Sequence, residues 1–263
     1  MVDCADSTII LAAEIEWYLW SQQQEPTQID RQLYLNELQK SAEARGLPLY
    51  ALDIEKGCSQ VEAALPICAN AAELVANLEL LKELAQQTAA DLALQADFSA
   101  KPLADDYGSG LHIHLHLENS LGENLFWKND ESMSAELQHC LAGLLVTMPK
   151  YMPIFAPNEA AYKRFVGGFN APVNASWGGN NRTVALRLPD SFTNYKRGMT
   201  SANNPSKYRR IEHRVAASEA NPQAVITAIC AGIAYGLREK PTLPPPIYGD
   251  AADAQYGLEK FIC

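Results

Sequence analysis

The amino-acid sequence predicts an α+β fold in which apolar strands carry acids or imidazoles on one face and amphipathic helices complete the core. Three observations carry this prediction. Thr8 to Trp20 alternates Ile15, Trp17 and Leu19 with Glu14, Glu16 and Tyr18, the period of a strand with two acids on one side. Tyr107 to Glu118, YGSGLHIHLHLE, sets three of the five histidines, His112, His114 and His116, at every second position between Leu111, Ile113, Leu115 and Leu117. Ala71 to Leu94 instead repeats leucine at helical spacing, with Leu74, Leu78, Leu81 and Leu84 in one stripe behind an Asn70 cap.

The remaining elements follow in order. An amphipathic helix is expected over roughly Ile29 to Arg45, with Leu33, Leu38 and Ala42 facing the core and Gly46 as its stop. Leu47 to Leu65 predicts a hairpin turning at Gly57, Cys58 and Ser59, with Glu55 ending one strand and Glu62 within the other. Such pairing gathers a second acidic couple, and like charges so placed repel unless a cation lies between them. Gly122 to Asp130 is expected as a turn exposing Leu125, Phe126 and Trp127. A helix from Met133 to Thr147 is expected to break at Pro149 to Pro153, followed by a short helix, Glu159 to Phe165, which brings Lys163 and Arg164 to the Gly167–Gly168 pair. Val173 to Gly178 and Thr183 to Leu188 predict a second hairpin carrying Arg182 and Arg187. Ser191 to Tyr208 is polar and turn-rich. Arg209 to Arg214, RRIEHR, puts Arg210, Glu212 and Arg214 on one strand face, and Pro222 to Leu237 is a helix with proline in its first turn. From about residue 241 a proline-rich tail is expected to run extended along the surface.

Composition narrows the function. At 263 residues, 48% hydrophobic and 20% charged, the chain fits one domain over residues 1–263. No apolar run is long enough to span a bilayer, and the N-terminal apolar stretch has Glu14 and Glu16 inside it and no basic region before it, unlike a secretory signal. A cytoplasmic protein is expected. The net charge of −10 disfavours nucleic acid or an anionic membrane as partner. The six cysteines, without a C-x-x-C pair, suggest neither a zinc ribbon nor a disulfide scaffold.

A set rich in carboxylates and poor in imidazoles suits Mg²⁺ or Mn²⁺, and arginines clustered beside such ions suit phosphoryl groups. The ordered motifs EIEWYL, ExGxxQxE over Glu55 to Glu62, GSGLHIH, AYKRFVGGFNAPV, NRTVALRLP and RRIEHR followed by ANP resemble the catalytic domain of glutamine synthetases and their γ-glutamyl-amine ligase relatives. The resemblance runs from about Glu14 to the tail. It implies a curved, mostly antiparallel sheet with helices on one side, and an ATP-dependent ligase that forms an acyl phosphate, γ-glutamyl phosphate by family habit, captured by ammonia or another amine. It implies two or more Mg²⁺ or Mn²⁺ ions, one held by Glu16, Glu55 and Glu62 and another by Glu14, His112 and Glu212. Arg164 and Gly108 would meet the amino-acid substrate together with Arg214, while His114, Arg182, Arg187 and Arg210 would meet the nucleotide and the phosphoryl group. Among these, Arg182, Arg187 and Arg210 are the expected catalytic groups, with Asn170.

The sequence also departs from the family. The small amino-terminal β-grasp domain is expected to lack a counterpart, the first metal motif coming almost at the start of the sequence. The flap motif PGYEAP reads GGFNAP, placing Asn170 where a glutamate closes the site, and Tyr107 and His116 replace an asparagine and a serine. Poor use of free ammonia is therefore expected, and a homo-oligomer or a partner chain could complete the pocket. The alternative is a catalytically reduced homologue that binds nucleotide or amino acid in a regulatory role.

Overall fold

The computed structural model describes residues 7–128, 133–189 and 209–261. The segment Ser191 to Tyr208, the end of the turn at Asp130, Cys4 and Cys263 fall outside the described residues. Eight strands form one sheet: β1 (Thr8–Trp20), β2 (Ala51–Ile54), β3 (Gln60–Cys68), β4 (Gln95–Asp97), β5 (Leu111–Glu118), β6 (Trp177–Gly178), β7 (Leu186–Arg187) and β8 (Ile211–His213). Their order is β2-β3-β1-β5-β8-β7-β6, with β4 paired to the end of β1. The helices are α1 (Arg31–Ala44), α2 (Ala71–Asp91), α3 (Ala135–Phe155), α4 (Glu159–Tyr162) and α5 (Pro222–Glu239).

β1 organises the sheet because its two faces differ. Leu11, Ala13, Ile15, Trp17 and Leu19 are buried in the main core, and period-two geometry sends Glu14 and Glu16 to the opposite face. The apolar face meets the helices. Trp17 Nε1 donates to the Tyr34 hydroxyl of α1 at 3.1 Å, which in turn donates to the Ala85 carbonyl of α2 at 2.9 Å. At the far side of the sheet the His213 ring packs on Phe155 of α3, with centroids 4.7 Å apart.

Each long helix starts where its sequence offers a cap: the side chains of Asp30, Asn70, Ser134 and Asn221 accept backbone N–H bonds from the first turn of α1, α2, α3 and α5. Leu33 is exposed and does not join the stripe of α1, which is Tyr34, Leu35, Leu38 and Ala42.

Three expectations fail for identifiable reasons. α3 does not stop at Thr147; it runs through Pro149 and Pro153 to Phe155. The prolines, one turn apart, both lie on the exposed side, while Met148, Met152 and Phe155 are buried. Burying three large side chains, about 1.5–3 kcal/mol each, offsets a cost of about 3 kcal/mol for each proline. β6 and β7 do not form a hairpin but pair in parallel, Trp177 opposite Leu186. Asn181 is the reason: its side chain accepts from Thr183 N at 2.9 Å and donates to the carbonyls of Ile247 and Gly249 in the tail, at 3.1 and 2.8 Å. The intervening loop is thus drawn out against the tail instead of folding back as a tight turn. Phe126 is buried rather than exposed, because the Asn124 side chain accepts its backbone N–H at 2.9 Å and turns the ring inward.

α3 and α5 approach at glycines. A Cβ on Gly143 would lie 2.4 Å from the Gly232 carbonyl oxygen and 2.4 Å from Gly236 Cα. Gly143→Ala is expected to lower the urea midpoint by an amount worth about 1–3 kcal/mol through overpacking, whereas Gly179→Ala, with open space around the added methyl, should stay within about 0.5 kcal/mol. Equal midpoints for the two variants would show that the helix pair is not held at backbone contact.

Candidate active site

Strand register brings together acids that lie far apart in the chain. Glu16 pairs with Glu62 across β1–β3, Glu14 with His112 across β1–β5, His114 with Glu212 across β5–β8, and Arg187 with Glu212 across β7–β8. Since Glu14, Glu16, Glu62, His112, Glu212 and Arg187 project from one face, they meet in one cleft with Glu55, Gly108, Arg164, Asn170, Arg182 and Arg214 on its walls.

Two three-residue groups could hold a cation, Glu14–His112–Glu212 and Glu16–Glu62–His112, each with donor atoms within 4.8 Å of one another. His112 is common to both. Its Nδ1 is buried without a hydrogen-bond partner, 3.8 Å from Glu14 Oε2 and 3.7 Å from Glu212 Oε1. A buried orphan nitrogen facing two carboxylates is what a cation ligand looks like before the cation binds. The donor set, oxygen-rich with one imidazole, fits Mg²⁺ or Mn²⁺. Glu55 lines the same cleft but stands outside both groups; its Oε2 accepts the Lys56 backbone N–H at 3.2 Å. The structure thus brings Glu14, His112 and Glu212 together, and it sets His112 rather than Glu55 beside Glu16 and Glu62.

The electrostatics follow from this crowding. Burial, then the nearby Glu14, Glu16, Glu55 and Asp53, raises the Glu62 carboxyl well above its ordinary range. Burial and Glu16 also raise Glu55. Glu14 goes the other way: burial opposes its charge, but the nearby imidazoles of His112 and His114 outweigh it, with His114 Nε2 3.0 Å from Glu14 Oε1. Glu212 is likewise held ionised against its burial by Arg214, His114, His112 and Arg187; Arg187 Nη1 lies 2.6 Å from Oε2, and Arg214 Nη1 donates to Oε1.

The arginines divide into committed and open groups. Arg164 is buried, and its guanidinium donates to the carbonyls of Val215 and Arg214 at 3.1 and 3.0 Å and lies 3.4 Å from His112 Nε2. Its stem also explains the GSG sequence: a Cβ on Gly108 would meet Arg164 Cγ at 2.7 Å, and one on Gly110 would meet Arg164 Nη2 at 2.4 Å. Arg187 Nε donates to Asn180 Oδ1 at 3.0 Å. Arg214 Nη2 donates to the carbonyl of Asn170, which adopts φ of 56°. Arg210 and His114 sit outside the cleft lining and hold each other, Arg210 Nε to His114 Nδ1 at 3.0 Å. Arg182 is exposed at the rim. His116 is also buried, its Nε2 3.0 Å from Glu118 Oε1.

Residues that sequence reasoning did not single out support the site from behind. Ser218 Oγ donates to the Glu16 carbonyl, and Lys82 Nζ donates to the Ser218 carbonyl at 2.6 Å. Gly110 N donates to Glu16 Oε2 at 2.7 Å. Gln60 Nε2 donates to the Gly108 carbonyl at 3.1 Å. Only Gln60 and Gly110 carried a signal, as members of the ExGxxQxE and GSG motifs.

Comparison with known proteins places this geometry. The family model described as glutamine synthetase, catalytic domain, matches residues 20–260. The chain is 35% identical over 224 residues to the gamma-glutamylputrescine synthetase PuuA of Escherichia coli, covering 85% of this chain and 44% of the relative. It is 36% identical over 213 residues to type-1 glutamine synthetase 2 of Dictyostelium discoideum, covering 79% and 38%. The chain thus spans less than half the length of these curated relatives. A solved GmaS/ADP complex superposes with a TM-score of 0.80 at 22% identity, over 97% of this chain and 61% of that one, which speaks for the fold alone.

The carboxylate crowding makes a double prediction. Because the folded state holds Glu62 protonated above its ordinary pKa near 4.5, the unfolded chain ionises first, and metal-free stability falls as pH rises from about 4.5 toward neutral. Glu62→Gln should flatten that slope and raise the melting temperature in chelator at pH 7. The same variant, and Glu16→Gln, should lose the stabilisation by Mg²⁺ or Mn²⁺ that mass action gives the wild-type chain, about 2.7 kcal/mol at one hundred times Kd. A full metal-induced shift in both variants would remove these residues from the metal site.

Proposed function

The chain belongs to the glutamine synthetase catalytic-domain family, and from that premise we propose that it acts as an ATP-dependent ligase joining the side-chain carboxylate of an amino acid, glutamate by family habit, to an amine. The observation that carries this reading is the shared vertex at His112, where two carboxylate groups able to hold cations meet the arginines of the same cleft. Glu14, His112 and Glu212 would hold one divalent ion, and Glu16 and Glu62 another with His112 or Glu55. When bound, these ions would neutralise phosphate charge during transfer.

The chain's own side chains would do the rest. Exposed Arg182 and the half-buried Arg187 stand where a γ-phosphoryl group can be gripped, and Arg210, locked on His114, extends the basic wall toward the nucleotide. The substrate carboxylate attacks the γ-phosphorus, ADP departs, and an amine then attacks the acyl carbon and expels phosphate. Arg164, committed to the carbonyls of Val215 and Arg214, serves better to shape the substrate wall than to clamp a carboxylate alone. Gly108 offers its backbone beside it. The amine remains open, and Asn170, uncharged, gives the flap a hydrogen-bonding group but no base. A homo-oligomer or a partner chain belongs to the same proposal, as a source of further pocket residues.

ADP release that requires both glutamate and an amine tests the reading. Arg187→Ala should lower kcat by about 10² to 10³-fold with the circular dichroism of the wild-type chain retained. Binding of nucleotide or amino acid with no ADP release under any combination of glutamate and amine would favour the regulatory alternative, in which the site binds without turnover.

A further inference from the structure

Lys56 is the one cation of the cleft lining that the ligase reading leaves without a task. It is exposed, and among the described residues no carboxylate lies within ion-pair distance of its Nζ. Instead Nζ sits 5.6 Å from the centroid of the Tyr107 ring. Tyr107 meets Phe169 edge to face, with centroids 5.6 Å apart, and Lys101 Nζ lies 4.0 Å over the Phe169 ring. The rim is therefore a row of cation, ring, ring, cation.

This row is fixed in place. The Tyr18 hydroxyl donates to the Tyr107 carbonyl at 2.8 Å, and the Asp106 carboxylate, which keeps its charge, is turned onto the backbone N–H groups of Tyr107 and Cys58, both at 2.8 Å. A nucleophilic amine must bring its nitrogen to the carboxylate floor of the cleft, where Glu55 is the immediate chain neighbour of Lys56. Whatever else the amine carries is then directed to the rim, where it meets an aromatic wall and an unpaired ammonium. A second ammonium on the amine would be repelled there; a carboxylate would gain an ion pair and a ring to lie against.

We infer that Lys56 and Tyr107 form a specificity subsite for the body of the nucleophile, and that this subsite selects amines bearing a carboxylate, amino acids or ω-amino acids, over ammonia and over diamines. The inference rests on the ligase reading. The nitrogen forms a C–N bond to the acyl carbon as the C–O bond to phosphate breaks, phosphate leaves, and the amine proton passes to a carboxylate of the cleft, so the product is an amide that keeps the carboxylate of the incoming amine.

The full chain, with ATP, Mg²⁺ and glutamate, is to be assayed with hydroxylamine, ammonia, putrescine, glycine, β-alanine and 4-aminobutyrate, scoring each γ-glutamyl product by mass. Hydroxylamine traps any acyl phosphate as the hydroxamate and needs no rim contact, so it reports the ligase reading separately. The expected result is hydroxamate formation together with kcat/KM at least about tenfold higher for one carboxylate-bearing amine than for putrescine, about 1.4 kcal/mol. Lys56→Gln should bring that ratio near one and Lys56→Glu should invert it, both with hydroxamate formation retained. Hydroxamate with putrescine or ammonia as the best amine, or a ratio untouched by Lys56→Glu, overturns the subsite while leaving the ligase. Absence of hydroxamate overturns both.

Discussion

The constraint on which the site depends is the repulsion among acids that the sheet forces onto one face. Glu14 and Glu16 leave β1 on the same side, and pairing with β3 sets Glu62 directly opposite Glu16. In water such a cluster would spread apart. Here it cannot, because the other face of β1 is fastened into the core through Leu11, Ile15, Trp17 and Leu19, and a one-residue slip would turn all of them outward. The burial of one face thus holds the charges of the other in a strained arrangement, and the chain relieves it in two ways. Imidazoles and arginines keep Glu14 and Glu212 ionised, while Glu62 retains a proton.

That division of labour explains the uneven setting of the basic groups. Glu212, buried on β8, has Arg187 and Arg214 on its two oxygens, so its orientation is settled without a cation. Among the described residues no arginine forms an ion pair with Glu16; its Oε2 accepts the Gly110 backbone N–H. A cation entering the cleft would therefore find one wall prepared and the other short of positive charge, with His112 between them. The support behind Glu16, through Ser218 and Lys82, acts on its backbone and leaves the carboxylate free to accept a ligand.

Much of this was legible in the sequence because period-two alternation is a local property. The faces of β1, β5 and β8 follow from residue spacing alone, whereas the expectation that Glu14, His112 and Glu212 would share a site comes from the resemblance of the ordered motifs to a family. What could not be read locally depended on contacts between distant segments. Asn181 reaches the tail carbonyls of Ile247 and Gly249, which is why β6 and β7 run in parallel. Met148, Met152 and Phe155 hold α3 together past its prolines through tertiary burial. The role of His112 in both acid groups needs the register of three strands at once, and the commitment of Arg164 to the carbonyls of Val215 and Arg214 has no signature in a YKR motif.

The same distinction separates what the family shares from what this chain can vary. The acid floor sits on paired strands, where moving one residue disturbs the core. The rim is built otherwise. Lys56 follows the end of β2, and Phe169 and Asn170 lie in an irregular segment after Gly168, whose φ of 91° suits glycine. Side chains there can change without altering any strand register. Asn170 itself, at φ of 56°, has its carbonyl fixed by Arg214 while its side chain faces the cleft, so the backbone of the flap is tied to the Glu212 ion pair even where its chemistry departs from a glutamate. In the proposed ligase, discrimination among amines would therefore belong to the rim, where a substitution alters the charge that an incoming amine meets without disturbing the carboxylates beneath it.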